Sequence, residues 1–151
     1  MPKLINPPAV HSPGGRYSHV AAMPSGARWL HISGQVGQDQ SGKALEGFAA
    51  QADQTWRNVL ACLAAGGMGP ADLVKVTVYL VEASDIPVSR EIRARHLGTV
   101  LPASTLVVVK QLASPAWLIE VEAIAARGGG TAKARPAARK AAARKGPKRR
   151  R

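Results

Sequence analysis

The amino-acid sequence predicts an α+β protein, a two-layer sandwich of order ββαβαββ with its helices on one side of a mixed sheet. Two patterns carry this. Between Phe48 and Leu63 the apolar residues Phe48, Ala52, Trp56, Val59, Leu60 and Leu63 mostly recur at the spacing of one helical stripe. Between Leu73 and Val81, Val74, Val76, Val78 and Leu80 alternate with Lys75, Thr77 and Tyr79, the period of a strand with two unlike faces. Crossover helices that link parallel strands with one handedness go to one side of the sheet, which leaves the other side bare.

The remaining elements follow in chain order. Tyr17 to Ala22 reads as a first, weaker strand, and Pro24-Ser25-Gly26 as a turn. Arg28 to Ser33 reads as a second strand, with Leu30 and Ile32 opposite Trp29, His31 and Ser33. Gly34 to Gly42 is polar and glycine-punctuated, hence a loop. Gly66-Gly67 ends the first helix, because glycine tolerates the left-handed exit. Ser84 or Asp85 caps a second helix that accepts Pro87 in its first turn and runs to about Leu97. Strands at Ser104 to Val109 and Trp117 to Ala125 flank a Ser114-Pro115 turn. Val81, Trp117 and Leu118 are expected to add apolar surface beyond what two short helices cover, which marks a bare sheet face for association.

Charge divides the chain into a body and a tail. Of its 151 residues, 1–127 hold 11 Lys+Arg and all nine acids, a net +2, whereas 128–151 hold ten Lys+Arg and no acid, a net +10. The tail carries no Val, Ile, Leu or aromatic, so it is expected to be disordered and the folded unit to end near Arg127. Its cations are Lys133, Arg135, Arg139, Lys140, Arg144, Lys145, Lys148, Arg149, Arg150 and Arg151. They suit nonspecific contact with nucleic-acid phosphates, an anionic lipid surface, or a merely solubilising role. Without aromatics for stacking, sequence readout is not expected.

Several classes are set aside at this level. A single cysteine makes neither an intramolecular disulfide nor a thiolate zinc cage, and the four histidines show no metal-site spacing. Cys62 fits inert packing on an alanine-rich helix, with a reactive thiol as the alternative. The N-terminal stretch has no apolar run of a signal peptide, and no segment is long and apolar enough to span a membrane. These features predict a soluble, cytoplasmic protein. Gly128 to Gly130 leads into the tail rather than out of a strand, so it is no phosphate loop.

An ordered set of segments over about residues 16–127 resembles the RidA/YjgF family. They are Ile32-Ser33-Gly34-Gln35, Gln51 and Asn58, Ala65-Gly66-Gly67, Asp72-Leu73-Val74-Lys75-Val76-Thr77-Val78-Tyr79-Leu80, Pro102-Ala103, and Ile119-Glu120-Val121-Glu122-Ala123-Ile124-Ala125. The resemblance implies a chorismate-mutase-like fold and a homotrimer with small-molecule clefts between subunits. It also implies hydrolysis of 2-imino acids, or their enamine tautomers, to 2-keto acid and ammonia, without metal or cofactor. Some members carry a ribonuclease label, but no acid–base pair for that chemistry is evident in the sequence.

By the same resemblance, Tyr17 lies at the cleft, Ser33 and Gly34 help orient the water, and Glu120 positions it. The arginine that follows Pro-Ala in the family, and grips the substrate carboxylate, is Ser104 here. A hydroxyl offers one neutral donor in place of a bidentate, charge-assisted pair, a loss of about 1.5–3 kcal/mol. That is about tenfold to more than a hundredfold in binding or rate. Arg90 and Arg93 sit one turn apart on the second helix and are candidates to reach an anion, against a solvated helix face paired with Glu91. His31 shares a strand face with Ser33 and is a site candidate or a structural histidine. Glu122 shares the face of Glu120 and reads as structural.

Overall fold

The computed structural model describes residues 1–128. The cations of the basic tail, Lys133 to Arg151, lie outside the described residues. The elements are β1 (Lys3–Ile5), β2 (Val20–Ala22), β3 (Arg28–Val36), α1 (Phe48–Ala65), β4 (Leu73–Leu80), α2 (Ile86–Leu97), β5 (Ala103–Val108) and β6 (Ile119–Arg127). The main sheet has the order β3-β6-β4-β5, with β4 and β5 parallel and β6 antiparallel to both β3 and β4. β3 and β4 therefore run parallel with β6 inserted between them, and each helix is a crossover between parallel strands.

The helices form where the two apolar periods lie. α1 buries Ala52, Trp56, Val59 and Leu63 completely, and Gly66 and Gly67 (φ 68°) close it. From the sheet, Val76, Val78, Leu80, Ile119, Val121, Ala123 and Ala125 meet that stripe, with Ile92 and Leu97 of α2. Each large side chain so buried contributes about 1.5–3 kcal/mol. Pro87 sits in the first turn of α2, and Asp85 precedes it without a side-chain capping bond.

Besides the extension of β3 through Gly34 and Gln35 to Val36, where a loop was expected to begin, three expectations need correction. First, β2 pairs with β1, in a separate two-stranded sheet, so only one of the first two expected strands joins the main sheet. β1 holds only Lys3, Leu4 and Ile5, too few residues for alternation to register. Second, β6 begins at Ile119 rather than Trp117. Before it, the buried Gln51 side chain caps the chain, accepting from Leu118 N at 2.9 Å and donating to Ala116 O at 2.8 Å.

Third, the uncovered face is mixed, and its apolar part is not the set expected: Trp29 and Val107 are the large apolar side chains exposed on it. Val81, Trp117 and Leu118 are half-buried. Because Val76, Val78 and Leu80 turn to the helices, the open face also presents Lys75, Thr77, Tyr79 and Glu122. Tyr79 donates to Glu122 Oε1 at 3.2 Å, and Lys75 donates to Thr105. Among the described residues no helix is long and apolar enough to cross a membrane.

Candidate functional site

Strand alternation divides the expected site residues between the two faces of the sheet. Ser104 is in register with Val76, which is fully buried beneath the helices, so Ser104 faces the helical layer. Glu120 is in register with Tyr79 on the open face. Since β3 and β5 are opposite edges of the sheet, the residues form two groups within one protomer.

The first group surrounds a cavity of about 450 Å3 beside β5. Its floor is Val78, Ser104 and Leu106, one wall is Arg90, Arg93 and Leu97 of α2, and the other is the segment from His11 to Tyr17. That segment turns through Gly14 and Gly15, whose φ of 60° and 70° a side chain would disfavour. It is fastened to the start of β5 by Ser18 N donating to Pro102 O at 3.3 Å. Tyr17 stacks edge-on against His19, centroid to centroid 5.5 Å, and the His19 ring contacts His11 O at 2.8 Å.

Arg93 turns inward. Its Nη1 donates to Ser104 Oγ at 3.0 Å, and its Nη2 is buried without a hydrogen-bond partner among the described residues. Burial holds its pKa below the usual arginine range. Arg90 lines the same cavity but is exposed. His96 points elsewhere: it contacts Asp53 of α1 at 2.8 Å, outside the cavity lining. The sequence did hold a signal for this placement. Ser89, Ile92, Arg93, His96 and Leu97 form the inward stripe of α2, and the three polar members on such a stripe must find partners. Arg16 and His11, also in the lining, were not anticipated, because nothing local shows that the N-terminal segment crosses α2 and β5.

The second group lies at a break in β3. Register with β6 slips between Ile32 and Gln35, at Ser33-Gly34. A Cβ at Gly34 would fall 2.6 Å from Cδ and 2.9 Å from Cγ of Glu120, so glycine is what admits the carboxylate there. His31 and Ser33 border a smaller pocket of about 270 Å3 with Lys75, Thr77 and Glu122. Burial is the main cause that lowers the Lys75 pKa; Glu122 opposes it. Cys62 is half-buried against the core. Among the described residues no cluster of His, Cys, Asp or Glu is arranged to hold a metal ion.

Fold and site together define a small α+β protein with a basic, small-molecule-sized cavity at one sheet edge and a glycine-seated glutamate on the opposite face. Residues 9–127 match the family model described as Endoribonuclease L-PSP. A RutC family protein of Aquifex aeolicus is 33% identical over 126 residues, covering 82% of this chain and 98% of the relative. The 2-iminobutanoate/2-iminopropanoate deaminase of Rattus norvegicus is 32% identical over 128 residues, 83% of this chain and 90% of that protein. The crystal structure of the Rid-family protein YyfB from Yersinia pestis superposes with a TM-score of 0.73 at 32% identity, covering 82% of this chain and 97% of that one. The chain belongs to the RidA/YjgF family.

Proposed function

We propose that the protein is a homotrimer whose small-molecule site lies between subunits, the cavity beside β5 of one copy facing the Gly34–Glu120 group of the next. The observation that carries this is the split described above: Tyr17, Ser104 and Arg93 lie on one face, Gly34 and Glu120 on the other. A second copy brings such groups together without breaking either.

The chemistry that suits the site is hydrolysis of an imine or enamine, as the name of the rat relative describes. An iminium carbon is already electrophilic. Water adds to it as Glu120 orients that water and accepts its proton; Glu120 then hands the proton to the amine nitrogen, and the C–N bond breaks as the hydroxyl gives its own proton back to Glu120, leaving a carbonyl and ammonia. No cofactor or metal enters these steps. What differs here is the grip on the substrate carboxylate. Ser104 offers a hydroxyl, and that hydroxyl already accepts from Arg93. Turnover of small 2-imino acids is therefore weakened, by about tenfold to a hundredfold relative to a bidentate arginine at this position.

The test is clearance of 2-imino acids generated in place by an amino-acid oxidase, for the wild type and for Ser104→Arg, with sedimentation of both. A trimer whose variant clears at least about tenfold faster is the expected result. A monomer, or equal rates in the two proteins, would overturn the assignment.

A second reading rests on the +10 charge of residues 128–151. In it the trimer is a non-catalytic carrier of basic tails that associates with nucleic acid by counterion release, three tails raising avidity when they engage together.

A further inference from the structure

The cavity beside β5 holds more positive charge and more room than a small monocarboxylate uses. Its volume of about 450 Å3 lies within the range of small-molecule clefts, about 300–1,000 Å3. Arg16, Arg90, Arg93 and His11 line it, and among the described lining residues none is acidic. Arg16 and Arg90 are exposed, so they stand at the mouth, whereas Arg93 is at depth with Nη2 unpartnered. A buried N–H without an acceptor is costly, and more so when it belongs to a charged group. An anionic oxygen from a ligand is what would satisfy it. Val78, Leu97, Val100 and Leu106 supply apolar surface to the lining.

We propose that this cavity binds an organic anion with two acidic groups on a short apolar body. Arg93 Nη2 takes an oxygen of the inner group, and Arg90 and Arg16 take the outer one. Ser104 is then a positioning residue: by accepting from Nη1 it fixes the guanidinium plane and leaves Nη2 as the free donor. The depressed pKa of Arg93 agrees with a cation buried without a counter-charge. The proposal deepens the reading given under Proposed function and rests on it for the location of the site. It changes the preferred ligand, from a monocarboxylate to a dicarboxylate or a phosphorylated acid.

The test is calorimetric titration of the full chain with 2-oxoglutarate, 2-oxobutanoate and inorganic phosphate, repeated for Arg93→Met, Arg93→Lys and Ser104→Ala. The diacid should bind at least about tenfold more tightly than the monoacid. Arg93→Met should weaken it by about 10- to 100-fold, with Arg93→Lys recovering part of that. Ser104→Ala should weaken it by about threefold to tenfold, and Ser104→Thr, which keeps the acceptor for Nη1, should restore the wild-type affinity. Phosphate that binds in an Arg93-dependent way assigns the inner site to a phosphoryl group; phosphate that does not, beside a diacid that does, assigns it to a carboxylate.

Equal affinity for diacid and monoacid would overturn the proposal. So would diacid binding that Arg93→Met leaves unchanged, since the buried guanidinium would then play no part in it. Imine clearance is read on the same samples. Arg93-dependent diacid binding in a protein inert toward imino acids would overturn the catalytic reading and leave this one standing.

Discussion

Gly37→Ala tests the packing on which the β3 side of the site depends. Gly37 follows β3 and lies against α1. A methyl built on it would come 2.7 Å from Gln51 Cγ and still closer to Gln51 Cα and Cβ. Carbon atoms pack at about 3.5–4.0 Å, so α1 and the end of β3 must separate by about 1 Å. Helix backbone cannot turn aside as a side chain can. Gln51 is 2% exposed, and its amide donates to Leu45 O at 2.9 Å and Ala116 O at 2.8 Å while accepting from Leu118 N at 2.9 Å.

Overpacking of this kind costs about 1–3 kcal/mol. Each bond lost at Gln51 adds about 0.5–1.5 kcal/mol. Alanine returns about 0.4–1 kcal/mol by restricting the unfolded chain. The net is about 2–4 kcal/mol, or a melting temperature about 4–16 °C lower for a chain of this size. The assay is thermal unfolding followed by circular dichroism at one protein concentration. Gly69→Ala is the control, because Gly69 has an extended backbone (φ −140°) and nothing lies within 4 Å of its added methyl. A Gly37→Ala protein that melts within about 2 °C of the wild type would refute the reasoning.

Gly34→Ala should behave differently, since it meets the far end of the flexible Glu120 side chain. Its melting point should stay within about 2 °C of the wild type, while imine clearance falls by tenfold or more as the carboxylate is displaced by about 1 Å or more. Unchanged clearance would remove Glu120 from the reaction. Stability should fall in acid. Arg127 donating to Asp72, and His96 contacting Asp53, hold both carboxyls below the usual carboxylate range. Groups with depressed folded pKa values contribute fully above about pH 4 and are lost as pH drops through the lowered values. Asp72→Asn should lower the melting temperature at pH 7 and flatten its decline between about pH 4 and 2; an acid limb as steep as the wild type's would exclude this pair as its source. Deleting residues 128–151, which removes ten cations, should abolish salt-sensitive retention on DNA or RNA. Retention that survives the deletion would move that activity to the folded body.

By itself the sequence determined what local periodicity and composition encode. The α1 stripe from Phe48 to Leu63 and the alternation of β4 decide which side of each element is apolar. The charge partition at Gly128 and the serine at 104 are facts of the sequence alone. The tertiary structure decided which elements became neighbours. The pairing of β1 with β2, the inward turn of Arg93 onto Ser104 and the placing of Ser104 and Glu120 on opposite faces all depend on contacts between distant segments. Alternation says that neighbouring residues face oppositely, but not what waits on either side. The sequence left Arg93 between an inward contact and a solvated helix face; the packing of α2 turned it inward, and the parallel pairing of β4 with β5 placed Ser104 within its reach, because a side chain's partner is set by the packing of whole elements rather than by its own neighbours in the chain.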